Sequence, residues 1–148
     1  MGMFSWMFGG EKKEPEPAKA PQVADKPMMP DISDEAAVID WFLKFDDKLS
    51  DLRSGLQPKG IEYIRGEVAG DLGEHRSAEA LKAHVAKVSM FHSSIALPEL
   101  ARRHMNGGPL PGETEAGYMQ IIMIEKLCAA KMRILGYFLL KKHGIQPE

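Results

Sequence analysis

Val38, Phe42, Phe45, Leu49, Leu52 and Leu56 recur at intervals of four, three, four, three and four. A helix returns to the same face every ~3.6 residues and a strand every ~2, so this spacing selects a helix. The stretch "PDISDEAAVIDWFLKFDDKLSDLRSGLQP" also carries the end signals. Asp31 or Ser33 can cap the N-terminus, Asp34 and Glu35 suit the positive end of the helix dipole, and Gly55 can close the C-terminus. Asp40, Lys44, Asp47, Lys48 and Asp51 fall mostly on the opposite side. Trp41 lies off the stripe and is expected either to pack on another helix or to be exposed.

The same period returns three more times. Pro58 suits a first turn, and Ile61, Ile64, Val68 and Leu72 give a second helix one apolar side. Gly60, Gly66, Gly70 and Gly73 weaken it, each by about 0.8–1 kcal/mol relative to alanine, so this helix is expected to be short and frayed after Ala69. A third helix is predicted from Ser77, as N-cap, to about Ala96, with Leu81, Val85, Val88, Phe91 and Ile95 inward. Pro98 ends or kinks it, and "NGGPLPG" is a stop signal. The last helix runs from about Glu113 to His143, roughly 30 residues or about 45 Å. Its stripe is Ile121, Ile124, Cys128, Met132, Leu135 and Leu139, with Gly144 as cap. Glu125, Lys126, Lys131 and Arg133 interrupt it well short of the ~18 apolar residues of a membrane span.

The predicted architecture is all-α: a small helical bundle of about four helices with a long C-terminal helix, preceded by an extended Pro-rich N-terminal arm. Three parts follow from the composition along the chain. Residues 31–148 form the bundle. Residues 11–30 hold five of the ten prolines, with four acids and four bases, and bury nothing, so they form an extended linker. As polyproline II it would reach roughly 60 Å, and as a flexible coil about 25 Å. Residues 1–10, "MGMFSWMFGG", are apolar, aromatic and uncharged.

That opening peptide is the most informative stretch. Lys12 and Lys13 follow the apolar run rather than precede it, which is the wrong order for a secretory signal. Position 6 is Trp6 where myristoylation favours Ser or Thr. Met3, Phe4, Met7 and Phe8 would line one side of a short helix, with Trp6 beside them. Such a segment can fill a groove on a partner protein, dip into a membrane surface, or fold back on its own helices. The spacer favours the first two, since a fold-back does not require twenty solvated residues. The partner- or membrane-binding candidates are therefore Met3, Phe4, Trp6, Met7 and Phe8. A second candidate surface, for docking or self-association, is Tyr118, Met119, Ile122 and Met123 on the long last helix, which needs partners along its whole length.

Composition excludes more than it proposes. Of 148 residues, 44% are hydrophobic and 27% charged, with a net charge of −2, which gives no reason to expect nucleic acid as a partner. The basic pairs Arg102-Arg103 and Lys141-Lys142 suit helix C-termini. Cys128 is the single cysteine, so an intramolecular disulfide is excluded, and its place in an apolar stripe reads as a small buried hydrophobe. Ten methionines, several paired, fit either core filling or a surface that repacks against partners.

Signals of catalytic chemistry are few. His84 and His92 share a side of the third helix, but no Glu-x-x-His or His-Glu-x-x-His accompanies them, so each is expected to be a boundary histidine with one hydrogen bond. No metal and no cofactor are expected. Glu67, Asp71 and Glu74 share one face, and Asp40, Asp47 and Asp51 another, which admits a metal-dependent helical hydrolase as an alternative; Lys44 and Lys48 interleave the second set as a solvated face would. The reading is a noncatalytic accessory or structural protein of a larger assembly, attached through its helical body and its N-terminal aromatic peptide. Its expected partners are proteins of that assembly, with a membrane-surface contact or a second copy of the chain as further options. The setting is cytoplasmic, the cytoplasmic face of a membrane, or a virus particle.

Overall fold

The computed structural model describes residues 26–146, and within them the chain is all helical. The order is α1 (Glu35–Phe45), a 3₁₀ turn (Asp47–Leu49), α2 (Ser50–Gly55), α3 (Pro58–Glu74), α4 (Ala78–Phe91), a π turn (His92–Ala96), α5 (Leu97–Asn106) and α6 (Glu115–His143). The core is built from α1, α2, α3, α4 and α6. Ala130, Ile134, Leu135 and Phe138 of α6 are fully buried and sit on more than one side of it. The long last helix is thus the spine of the bundle rather than one amphipathic wall.

Several ends follow the local signals. The Ser77 side chain accepts from Ala80 N at 3.0 Å and starts α4. Pro58 opens α3. Thr114 caps α6 by accepting from Gly117 N at 3.0 Å, and Gly144 at φ +71° closes it. Only a residue without a Cβ takes that left-handed backbone at no cost. At α1 the cap is Asp34, which accepts from Ala37 N at 3.2 Å, whereas Asp31 accepts from the N–H and hydroxyl of Ser33 and turns the chain just before it.

Three expectations are corrected. The first helix does not run unbroken to Gly55: Asp46 is extended, at φ −67° and ψ 128°, and only then does the chain wind again. The cause is long-range, because the Asp46 carboxylate accepts two bonds from Arg133 of α6, and its carbonyl accepts from Arg53 at 2.8 Å. The second helix is neither short nor frayed and continues to Glu74. Its buried Ile64, Val68 and Leu72 each contribute about 1.5–3 kcal/mol, more than each glycine costs. The third helix does not keep Phe91 and Ile95 inward. Over His92–Ala96 the turn widens, and burial passes to His92 and Ala96, one residue further on. Pro98, two residues later, has no N–H to offer the carbonyl of Ser94, and a widened turn absorbs that defect.

Candidate functional site

Met3, Phe4, Trp6, Met7 and Phe8 lie outside the described residues, as does most of the linker. Its last part does not: residues 26–30, expected as solvated chain, lie against the body. Trp41 Nε1 donates to the Pro27 carbonyl at 2.8 Å. The Lys26 ammonium stands over the Trp41 ring at 5.8 Å and pairs with Asp47 at 3.1 Å, while Met29 packs on the core. Trp41 is therefore the seat on which the arm enters the bundle. Beside it lies a groove of about 630 Å³ lined by Met29, Trp41, Phe42, Met132, Tyr137 and Leu140, among others.

The second candidate surface divides. Met123 is 2% exposed and belongs to the chain's own core. Tyr118, Met119 and Ile122 are half-buried and keep part of their surface.

Further apolar side chains are exposed, and sequence reasoning missed this because it turned two of them, Phe91 and Ile95, inward. Met90, Phe91, Ile95, Leu97 and Met105 follow one another along α4, the π turn and α5, and are between 39% and 87% exposed. Met90 borders a groove of about 360 Å³ with Val85 and Leu139. Phe91 borders another, about 330 Å³, with Ile124, Leu127, Cys128, His84 and Lys131. Burial pushes the Cys128 thiol up, against the opposing pull of Lys131, which keeps it protonated and unreactive.

The remaining chemistry is polar and gathers where α3, α4 and α6 meet. His84 Nε2 lies 2.7 Å from Asp71 Oδ2, and the Lys131 ammonium lies 2.9 Å from the same oxygen. Burial alone would push the Asp71 carboxyl up, but its bonds to Lys131 and His84 outweigh that and hold it below the usual carboxylate range. Lys131 also reaches Glu67 at 3.5 Å. The His75 ring stacks on His84 with centroids 4.2 Å apart and 16° between planes. His92 takes Glu125 of α6 at 2.9 Å. His84 of α4 and His92 of the π turn thus have one carboxylate partner each, as expected for boundary positions. Of the two acidic faces, Asp40 pairs with Lys44 and Arg65, and Asp47 with Lys26. Glu67 and Asp71 share Lys131.

The basic pair Arg102-Arg103 is likewise taken up. Arg103, whose side chain is almost wholly buried, donates to both oxygens of Glu113 and to Glu99, and so fastens the "NGGPLPG" loop to α5. Arg102 pairs with Glu99.

No described helix is long and apolar enough to cross a membrane. No family model matches the chain, and no curated protein or solved structure is found to be similar to it.

Proposed function

We propose that this chain is a noncatalytic accessory or structural protein that docks into a larger assembly through its helical body, with the peptide at Met3 to Phe8 as a second attachment. The observation that carries this reading is the exposure of Met90, Phe91, Ile95, Leu97 and Met105 along α4, the π turn and α5. Single exposed apolar residues are ordinary, but a succession along one helical segment, bordered by two grooves, suits a protein partner. The partner that fits is a protein presenting apolar side chains of its own, as a helix laid into a groove does. Two attachments on one chain raise the effective concentration of each, so each can be individually weak.

The ion pairs of Asp40, Asp47, Glu67 and Asp71 favour this reading over a hydrolase built on the acidic faces of the first two helices, since each carboxylate already serves a cation of the same chain. The setting proposed is the cytoplasm, the cytoplasmic face of a membrane or a virus particle, with any membrane contact made at the surface.

The test places a photo-crosslinking residue at Ile95, at Trp6, or at the exposed polar Glu79 as control, in the full-length protein within its native source. Ile95 and Trp6 are expected to capture components of one assembly, with the Ile95 product lost on Phe91→Asp. Yields at Ile95 and Trp6 no higher than at Glu79 would overturn the proposal.

A further inference from the structure

We propose that Asp71, His75 and His84 form a binding site for one divalent transition-metal ion of the zinc class, which clamps the end of α3 to α4. Ligand atoms of the three side chains lie within 4.8 Å of one another. They come from three neighbouring pieces of chain: the last turn of α3, the residue that ends it, and the second turn of α4. The connection between the helices is so short that His84 is carried back over the α3 terminus. Asp71 is buried and the two histidines are half-buried, so the donors are already gathered before an ion arrives.

The donor set suits the ion. Two imidazoles and a carboxylate match the borderline character of Zn²⁺, which bonds nitrogen and oxygen at about 2.0–2.2 Å. Tetrahedral geometry at those lengths puts ligand atoms roughly 3.3 Å apart. Reaching that spacing takes side-chain movements of about an ångström and a turn of the His75 ring out of its stack on His84. The turn is needed because an imidazole lone pair lies in the ring plane and two near-parallel rings do not aim at one point. The His84–Asp71 contact at 2.7 Å opens a little. Three protein ligands leave a fourth position for water.

His75 is the telling member. Among the described residues its polar contact is Glu74, with Nε2 3.7 Å from Oε1, beyond hydrogen-bond distance. A half-buried imidazole that makes no hydrogen bond to a described residue keeps a nitrogen lone pair free, and no bond holds it in its stack on His84. Asp71 and Glu67 share Lys131, and Lys87 lines the same groove as His84 and Lys131. Lys131 is then the competitor of the metal, because its ammonium shares Asp71 Oδ2. That relation fixes the sign of one substitution: removing the ammonium strengthens the site.

The experiment titrates full-length protein, first treated with a chelator, with Zn²⁺ by calorimetry, and with Co²⁺ by visible absorption, which reports nitrogen and oxygen coordination. One saturable ion per chain is expected. Affinity falls on the order of tenfold or more in His75→Ala and in His84→Gln, stays unchanged in His104→Ala and His143→Ala, and rises in Lys131→Gln. Zn²⁺ raises the melting temperature of the wild type but not of His75→Ala, a variant that loses no hydrogen bond and whose fold is checked by circular dichroism. Absence of saturable binding up to millimolar Zn²⁺, or binding undiminished in His75→Ala, would overturn the proposal. Weaker binding in a folded Lys131→Gln would place the ion elsewhere and overturn it too.

Discussion

Arg133 holds Asp46 with both prongs of its guanidinium, Nε to Oδ2 at 2.9 Å and Nη2 to Oδ1 at 2.8 Å, across 87 positions of sequence. The pair pins the break between α1 and the 3₁₀ turn to the middle of α6. Its two ends are unequal: the Asp46 side chain is 6% exposed and that of Arg133 39%.

That inequality predicts unequal costs. Arg133→Met strands a buried carboxylate and is expected to cost about 2–4 kcal/mol, less than a fully buried pair would. Asp46→Asn leaves Arg133 able to turn to water and is expected to cost about 1–2 kcal/mol. Urea unfolding of both variants checks the order; equal or reversed losses would contradict it.

The rotation of the π turn makes Ile95 a surface residue. Ile95→Ser should change stability by no more than about 0.5 kcal/mol. Leu81→Ala, at a fully buried position of the same expected stripe, should cost about 2–5 kcal/mol. A thermal melt in which both variants lose stability alike would return Ile95 to the core.

Gly66 and Gly70 lie on the exposed side of α3, and a Cβ built on either meets nothing within 4 Å. Alanine at both is expected to stabilise by about 1–2 kcal/mol in total, because the helix is kept and only the freedom of the unfolded chain is reduced. Denaturant midpoints of the single and double variants should rise additively.

Glu35 joins three parts of the fold, accepting from Lys142 at 2.8 Å and from Arg76 at 2.7 Å. The Lys142 bond, the largest effect, together with Arg76 outweighs the opposing effect of burial and holds its carboxyl below the ordinary value of 4.5. A carboxylate lowered on folding contributes stability that is fully present above its unfolded pKa and is lost as pH falls through its folded one. Glu35→Gln should therefore cost about 1 kcal/mol or less at neutral pH and nothing once the wild-type carboxyl is protonated. Melts of both proteins between pH 7 and pH 2.5 should converge; a gap that persists in acid would mean that packing rather than charge is at stake.

Much of the helical framework was legible because its signals are local. The period of Val38, Phe42, Leu49 and Leu52 depends on neighbours three or four positions away. The caps at Ser77 and Gly144 depend on backbone within one turn. The candidate sites were less legible. His84 and Asp71 could each be read as a polar boundary residue, but no spacing rule joins them, since they lie on different helices and meet only where α4, packed on α6, passes the end of α3.

Sequence by itself therefore determined that this chain forms helices, where α3 and α4 start, where α6 stops, and which segment is longest. Tertiary structure decided that Asp46 interrupts the first helix, that α3 persists through its glycines, and that Phe91 and Ile95 face outward. It also decided that Asp71, His75, His84 and Lys131 share one corner. The division has one physical reason: hydrogen bonds and backbone preferences within a turn act between residues close in sequence. Burial and ion pairing act between residues close in space, and here their energies are larger than the local preferences they overrule.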